Sequence, residues 1–313
     1  MEITMPFRRL ITLGLLLGLG LVSLGTLARP SFEQKLGPTL ADSGSQYYRF
    51  DRFELDSADG QRRYRIHLAI PRRDAPPAGY PVLYLLDGNA ALGALREEWL
   101  AEQDERGPAL LVMIGYATDL RLDVDSRVYD YTPALQPGQP LLEDDTRRRP
   151  AGGAAEFLEL IETRIKPQVA EHYPLDTRRQ ALWGHSYGGA FVLNTLFTQP
   201  QAFQRYIAAS PSLWWKSGLL LRTEQDLPAS ARAQLLILRG SDEAGPRAAH
   251  AQPDERRRAM AVVPADAAQQ MAARLASHPG LEVEYRELAG LGHGPMLDGS
   301  ILPALRWATE PAH

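Results

Sequence analysis

The chain has 313 residues, 44% of them hydrophobic, enough to bury a full core as one large α/β domain or two smaller ones. Its 34 basic and 38 acidic residues leave a net charge of -4, which gives no general attraction to nucleic acid and favours small-molecule partners. With no cysteine, the chain can have no disulfide, thiolate metal site, cysteine nucleophile or lipoprotein anchor.

Residues 1–28 read as an export signal. Arg8 and Arg9 precede an apolar run from Leu10 to Leu24, and Thr26-Leu27-Ala28 forms a small-x-Ala cleavage site. Cleavage after Ala28 is expected. The apolar stretch also approaches the roughly 20 residues of a bilayer span, so an N-terminal membrane anchor is the alternative. Residues 29–44 read as a linker and 45–313 as a single domain. An exported chain without disulfides fits the periplasm.

Within the domain, "YYRFDRFEL" (47–55) and "RRYRIHLAI" (62–70) alternate apolar and polar residues, with Tyr64, Ile66, Leu68 and Ile70 on one side. They read as an antiparallel pair with one solvated face. "PVLYLLDG", "ALLVMIGYA", "ALWGHS" and "QLLILRGS" are instead short continuous apolar runs, the pattern of parallel strands buried on both faces. Helices are expected near 90–103, 153–171, 187–198 and 264–277, and "LEVEYREL" (281–288) fits a final strand. This alternation predicts a mostly parallel sheet covered by helices on both faces. Residues 119–152 and 241–260 are charged and carry Pro and Gly, so both read as long loops beyond strand ends, where an α/β sheet places its ligands.

Gly184-His185-Ser186-Tyr187-Gly188 follows an apolar strand and opens a helical segment. G-x-S-x-G alone is a weak pattern, but strand-turn-helix is the setting of a nucleophile elbow. Such a turn strains the serine backbone and sets helix N-terminal NH groups beside its oxygen. The NH of Tyr187 is then one oxyanion donor. The second is expected from the loop "YLLDGNAAL", at Gly88 or Asn89, with Gly88 admitting substrate close to the backbone. Asp87 reads as a carboxylate that shapes this loop.

A serine nucleophile needs a base. Of seven histidines, His293 stands in the glycine-bearing "LAGLGHGP" just after the final strand, completing the chain order Ser, acid, His. His185 belongs to the elbow, where its side chain should point away from the attacking face. The acid should follow "QLLILRGS". Glu243 and Asp242 both qualify, with Glu243 favoured because it lies deeper in the loop.

"PVLYLLDGNAAL", "RVYDYTP", "GGAAEFLELIETRIKPQVAEHYPLD", "RRQALWGHSYGGAFVLNTLF" and "AASPSLWW" together resemble the Fes/IroE/PfeE-type siderophore (enterobactin) esterases of the α/β-hydrolase superfamily. The resemblance spans about residues 45 to 308. It implies an α/β-hydrolase fold and serine esterase chemistry on the lactones of a trilactone catecholate siderophore, with Ser186 and His293 at matching motifs. No cofactor or metal is implied, since the iron belongs to the substrate. Such a ligand is anionic and aromatic, so arginine beside flat side chains is the expected lining, with Arg127, Trp214 and Trp215 as candidates. For either tryptophan, plain core packing is the competing reading. A general serine carboxylesterase or thioesterase on the same scaffold, or a non-catalytic periplasmic siderophore-binding protein, are the other readings.

Overall fold

The structure is a computed structural model and describes Met1, residues 34–243 and residues 254–310. The export-signal or anchor expectation, on residues 1–28, lies outside the described part apart from Met1. Among the described residues no helix is long and apolar enough to cross a membrane. Apart from Met1, the described residues fall in one compact unit.

Eight strands form the main sheet: β1 (Tyr48–Asp56), β2 (Arg63–Pro71), β3 (Tyr80–Leu85), β4 (Leu110–Tyr116), β7 (Leu175–His185), β8 (Arg205–Ala209), β9 (Ala233–Gly240) and β10 (Leu281–Leu288), in the order β1-β2-β4-β3-β7-β8-β9-β10. β5 (Leu141–Leu142) and β6 (Pro150–Ala151) make a separate short hairpin. β2 is antiparallel to β1 and β4, and every pairing from β4 through β10 is parallel. This is the expected mostly parallel sheet with an antiparallel start.

Successive side chains of a strand face opposite sides, so a strand buried on both faces must be apolar throughout. Leu182, Leu235 and Ile237 enter the core on one face; Ala181, Trp183, Leu236 and Leu238 enter the core on the other. Tyr64, Ile66, Leu68 and Ile70 share one face, as their alternation predicts. The opposite face of β2 is solvated only in its first half, at Arg63 and Arg65; further along, His67 and Ala69 are buried there.

The remaining departures are local. Residues 34–44, expected as linker, are stitched to the domain. Leu36 donates its NH to Asp119 O, Arg121 donates to Gln34 O, and Leu40 packs on the core from a short helix, Leu40–Ser43, capped by Thr39. The expected helix at 90–103 is two helices, Gly88–Ala94 and Glu97–Arg106. That at 153–171 runs from Ala154 to His172 through one π turn, Ile161–Ile165. Neither long loop is structureless. Residues 119–152 hold the helix Val124–Tyr131 and the β5-β6 hairpin, and the described end of 241–260 begins the helix Asp254–Ala261.

Candidate active site

The sharp turn after β7 leaves Ser186 at φ 60° and ψ -112°, a left-handed backbone that an L residue adopts only under constraint. The constraint is close packing. A Cβ on Gly184 would stand 2.4 Å from the carbonyl oxygen of Gly188, so strand and helix meet only because residue 184 has none. Helix Tyr187–Thr198 follows directly, with the expected bounds.

Tyr187 and Gly88 are the first residues of their helices, so their NH groups have no partner within the helix. The two helices follow β7 and β3, which pair in parallel up to Leu85 and Trp183, so both N-termini open at the same edge of the sheet. The role of the glycine at 88 differs from expectation. A Cβ there would lie 2.5 Å from Met113 C and O, so its absence lets the helix approach β4 and is not an opening for substrate. Asn89 ties that helix to the end of β4 and the loop after it, its Nδ2 donating to the carbonyls of Tyr116 and Leu120 at 3.1 and 2.9 Å.

His293 Nε2 lies 2.9 Å from Ser186 Oγ, and its Nδ1 lies 3.4 Å from Glu243 Oε2. The loop after β10 is held against the end of β9 by bonds from Asp242 N to Leu291 O and from Gly290 N to Ser241 Oγ, which brings base and acid together. Glu243 is further held by donors from Ser210 Oγ and Gly240 N. Burial alone would raise its pKa; the bonds from His293, Ser210 and Gly240 outweigh burial and keep it below the ordinary carboxylate value. Asp242 is exposed and bonded to Ser241 Oγ, away from the imidazole. Of the two acids, the structure brings Glu243 to His293.

Three side chains at this site have partners that the motifs did not signal. His185 is buried and places Nε2 2.8 Å from the main-chain oxygen of His293. A carbonyl only accepts, so Nε2 carries the proton. Burial first, then the neighbouring charges of His293 and Arg127, hold this imidazole well below the ordinary 6.5, hence neutral. Ser212 Oγ lies 3.1 Å from Ser186 Oγ. The phenol of Tyr187 donates to Glu143, at 2.8 Å, in the hairpin segment. Ser210 and Ser212 stand in the quoted "AASPSLWW", but only the fold sets them beside Ser186.

Two expected substrate contacts are corrected. Arg127 is buried, its Nε and Nη2 donating to the two oxygens of Asp87 at 2.8 and 2.9 Å, with Nη2 also 3.4 Å from His185 O. It braces the Asp87 loop from within, which gives Asp87 its loop-shaping part. Asp87 itself stands at φ 51°, with Tyr131 Oη accepting from its NH. Trp215 is 1% exposed and donates from Nε1 to Pro133 O, so it is core packing. Trp214 lines a cavity of about 410 Å³ that also touches His293, Glu243 and Ser210.

Residues 57–278 match the Esterase family model. The chain belongs to this family. It is 38% identical over 281 residues to the apo-salmochelin esterase of Escherichia coli, covering 89% of this chain and 84% of that one. It is 34% identical to the ferri-bacillibactin esterase BesA of Bacillus subtilis, covering 82% and 88% of the two chains. Among solved structures, the enterobactin and salmochelin hydrolase IroE superposes with a TM-score of 0.72 at 34% identity, over 88% of this chain and all of that one. Homologues of this esterase are thus siderophore esterases, as the motifs implied.

Proposed function

We propose that this esterase hydrolyses the lactone esters of a trilactone catecholate siderophore of the enterobactin type, helping to release iron. The observation that carries the catalytic part is the 2.9 Å approach of His293 Nε2 to Ser186 Oγ in a strained elbow. A non-catalytic binder would have no use for that strain. Sequence identity with two siderophore esterases over most of the chain supports the substrate class.

In this reading His293 takes the proton of Ser186, and Oγ attacks a lactone carbonyl. The tetrahedral oxyanion accepts hydrogen bonds from the NH groups of Tyr187 and Gly88, each such donor contributing roughly 10² to 10³ in rate. His293 returns the proton to the departing alkoxide, opening the ring, and water then cleaves the acyl-enzyme by the same route in reverse. Glu243 orients the imidazole and stabilises imidazolium. The export-type N-terminus supports a periplasmic setting, free or tethered to the inner membrane.

The test is chromatography of ferric and iron-free enterobactin after incubation with the full chain and with Ser186→Ala. Linear trimer, dimer or monomer products from the parent alone support the proposal. Cleavage of a simple aryl ester with both siderophores left intact would replace it by a general serine esterase.

A further inference from the structure

The cavity beside His293 is lined by a cation that has no ion-pair partner among the described residues. Arg256, from helix Asp254–Ala261, lines this space with Trp214, Met260, Val263 and His293. Its guanidinium carbon stands 4.2 Å from the centroid of the Trp214 ring. Its Nε is buried and has no hydrogen-bond partner among the described residues.

The nearby cations are otherwise matched. Arg127 pairs with Asp87, Arg147 with Glu143 and Asp144, and Arg149 with Glu143 and Asp125. Glu143, which also acts on Arg256, is thus shared by two other arginines and by the phenol of Tyr187. Burial first disfavours the charged form of Arg256, and the like charges of Arg147 and Arg127 add to this; Tyr187 and Glu143 oppose it without outweighing it. An arginine stacked on an aromatic face keeps its in-plane NH groups for a planar anion, which it binds through two parallel hydrogen bonds.

A desolvated cation without a partner is costly, and a ligand that supplies the counter-charge recovers that cost on binding. The indole beneath it offers a flat apolar surface. The complementary ligand is a planar, anionic, aromatic group attached to the acyl chain that Ser186 receives. We propose that Arg256, stacked on Trp214, is a specificity-determining residue that selects acyl groups bearing an anionic arm, a catecholate in the natural substrate. This rests on the siderophore reading for the identity of the arm, but not for the preference for negative charge.

The full chain, Arg256→Met and Arg256→Lys are compared on 4-nitrophenyl hemisuccinate, which has an anionic acyl group, and on neutral 4-nitrophenyl butyrate. The readout is the ratio of kcat/KM for the anionic ester to that for the neutral one. Arg256→Met is expected to lower this ratio about tenfold, and Arg256→Lys, which keeps the charge but loses the planar fork, to lower it by about three- to fivefold. A ratio within about twofold of the parent's in Arg256→Met overturns the proposal. Should that variant fail to fold, the parent decides. The parent should prefer the anionic ester in kcat/KM at both about 0.05 M and about 0.5 M salt, because a desolvated pair is screened little, and no preference for the anionic ester at either salt overturns the proposal. Enterobactin is run beside them: if the parent leaves it intact, the siderophore reading falls, while the ester ratio still decides the role of Arg256.

Discussion

His185 and His293, 108 residues apart in the chain, are joined by a 2.8 Å hydrogen bond from the imidazole of the first to the main-chain oxygen of the second. The residue before the nucleophile therefore sets the height of the loop that carries the base. The His293 side chain is 40% exposed, and this bond joins those from Asp242 N and Gly290 N in fixing its loop.

Truncating this tether, in His185→Ala, should lower kcat about ten- to a hundredfold with a much smaller change in KM, because misplacing a catalytic group by about 1 Å can cost roughly 10² in rate. An unchanged kcat in steady-state ester hydrolysis would show that the loop keeps its position without the bond.

The identity of the acid separates two neighbours. Glu243→Gln should reduce kcat/KM by roughly 10² to 10⁴, while Asp242→Asn stays within about twofold of the parent. At 3.4 Å the Glu243 contact is long, and such contacts often tighten only when substrate is bound. The reverse ranking in the same assay would move the acid to Asp242.

The pair Asp87–Arg127 is buried, with side chains 1% and 10% exposed. Arg127→Met should therefore cost about 3–5 kcal/mol of stability by leaving Asp87 charged and unpaired. The double variant Asp87→Asn with Arg127→Met should recover part of this in chemical denaturation. A residue that only touched substrate would raise KM and leave the unfolding midpoint where it was.

His67, on β2, is buried with its Nε2 unpartnered. Burial first, then Arg65 and Arg52, hold its pKa down at about 4 against an ordinary 6.5. The unfolded chain therefore binds a proton that the folded chain refuses between these values. The stability is fully present above pH 6.5 and lost as pH falls toward 4, by roughly 3 kcal/mol. His67→Gln should remove this part of the acid sensitivity in thermal melts taken across that range. Parallel curves for parent and variant would contradict it.

The parallel strands and the antiparallel start were legible because a strand buried on both faces must be apolar at every position, as in "ALLVMIGYA", whereas β1 and β2 alternate; the order of the strands was not. Ser186 and His293 were legible because an elbow needs Gly184 where strand and helix meet, and because the base follows the last strand. The helix Val124–Tyr131 was not. It is short, its polar residues face partners far away in the chain, and its Arg127 looks like any surface arginine until Asp87 is beside it.

The sequence by itself determined the fold class, the nucleophile and the base, since these depend on periodicity and on backbone constraints within a few residues. Only the tertiary structure decided that Glu243 and not Asp242 meets the imidazole, that Arg127 and Trp215 are internal, and that Trp214 and Arg256 face the cavity. These are questions of which side chain points where. The direction of a loop side chain is set by hydrogen bonds between β9, β10 and the elbow, elements that meet only when the sheet has formed.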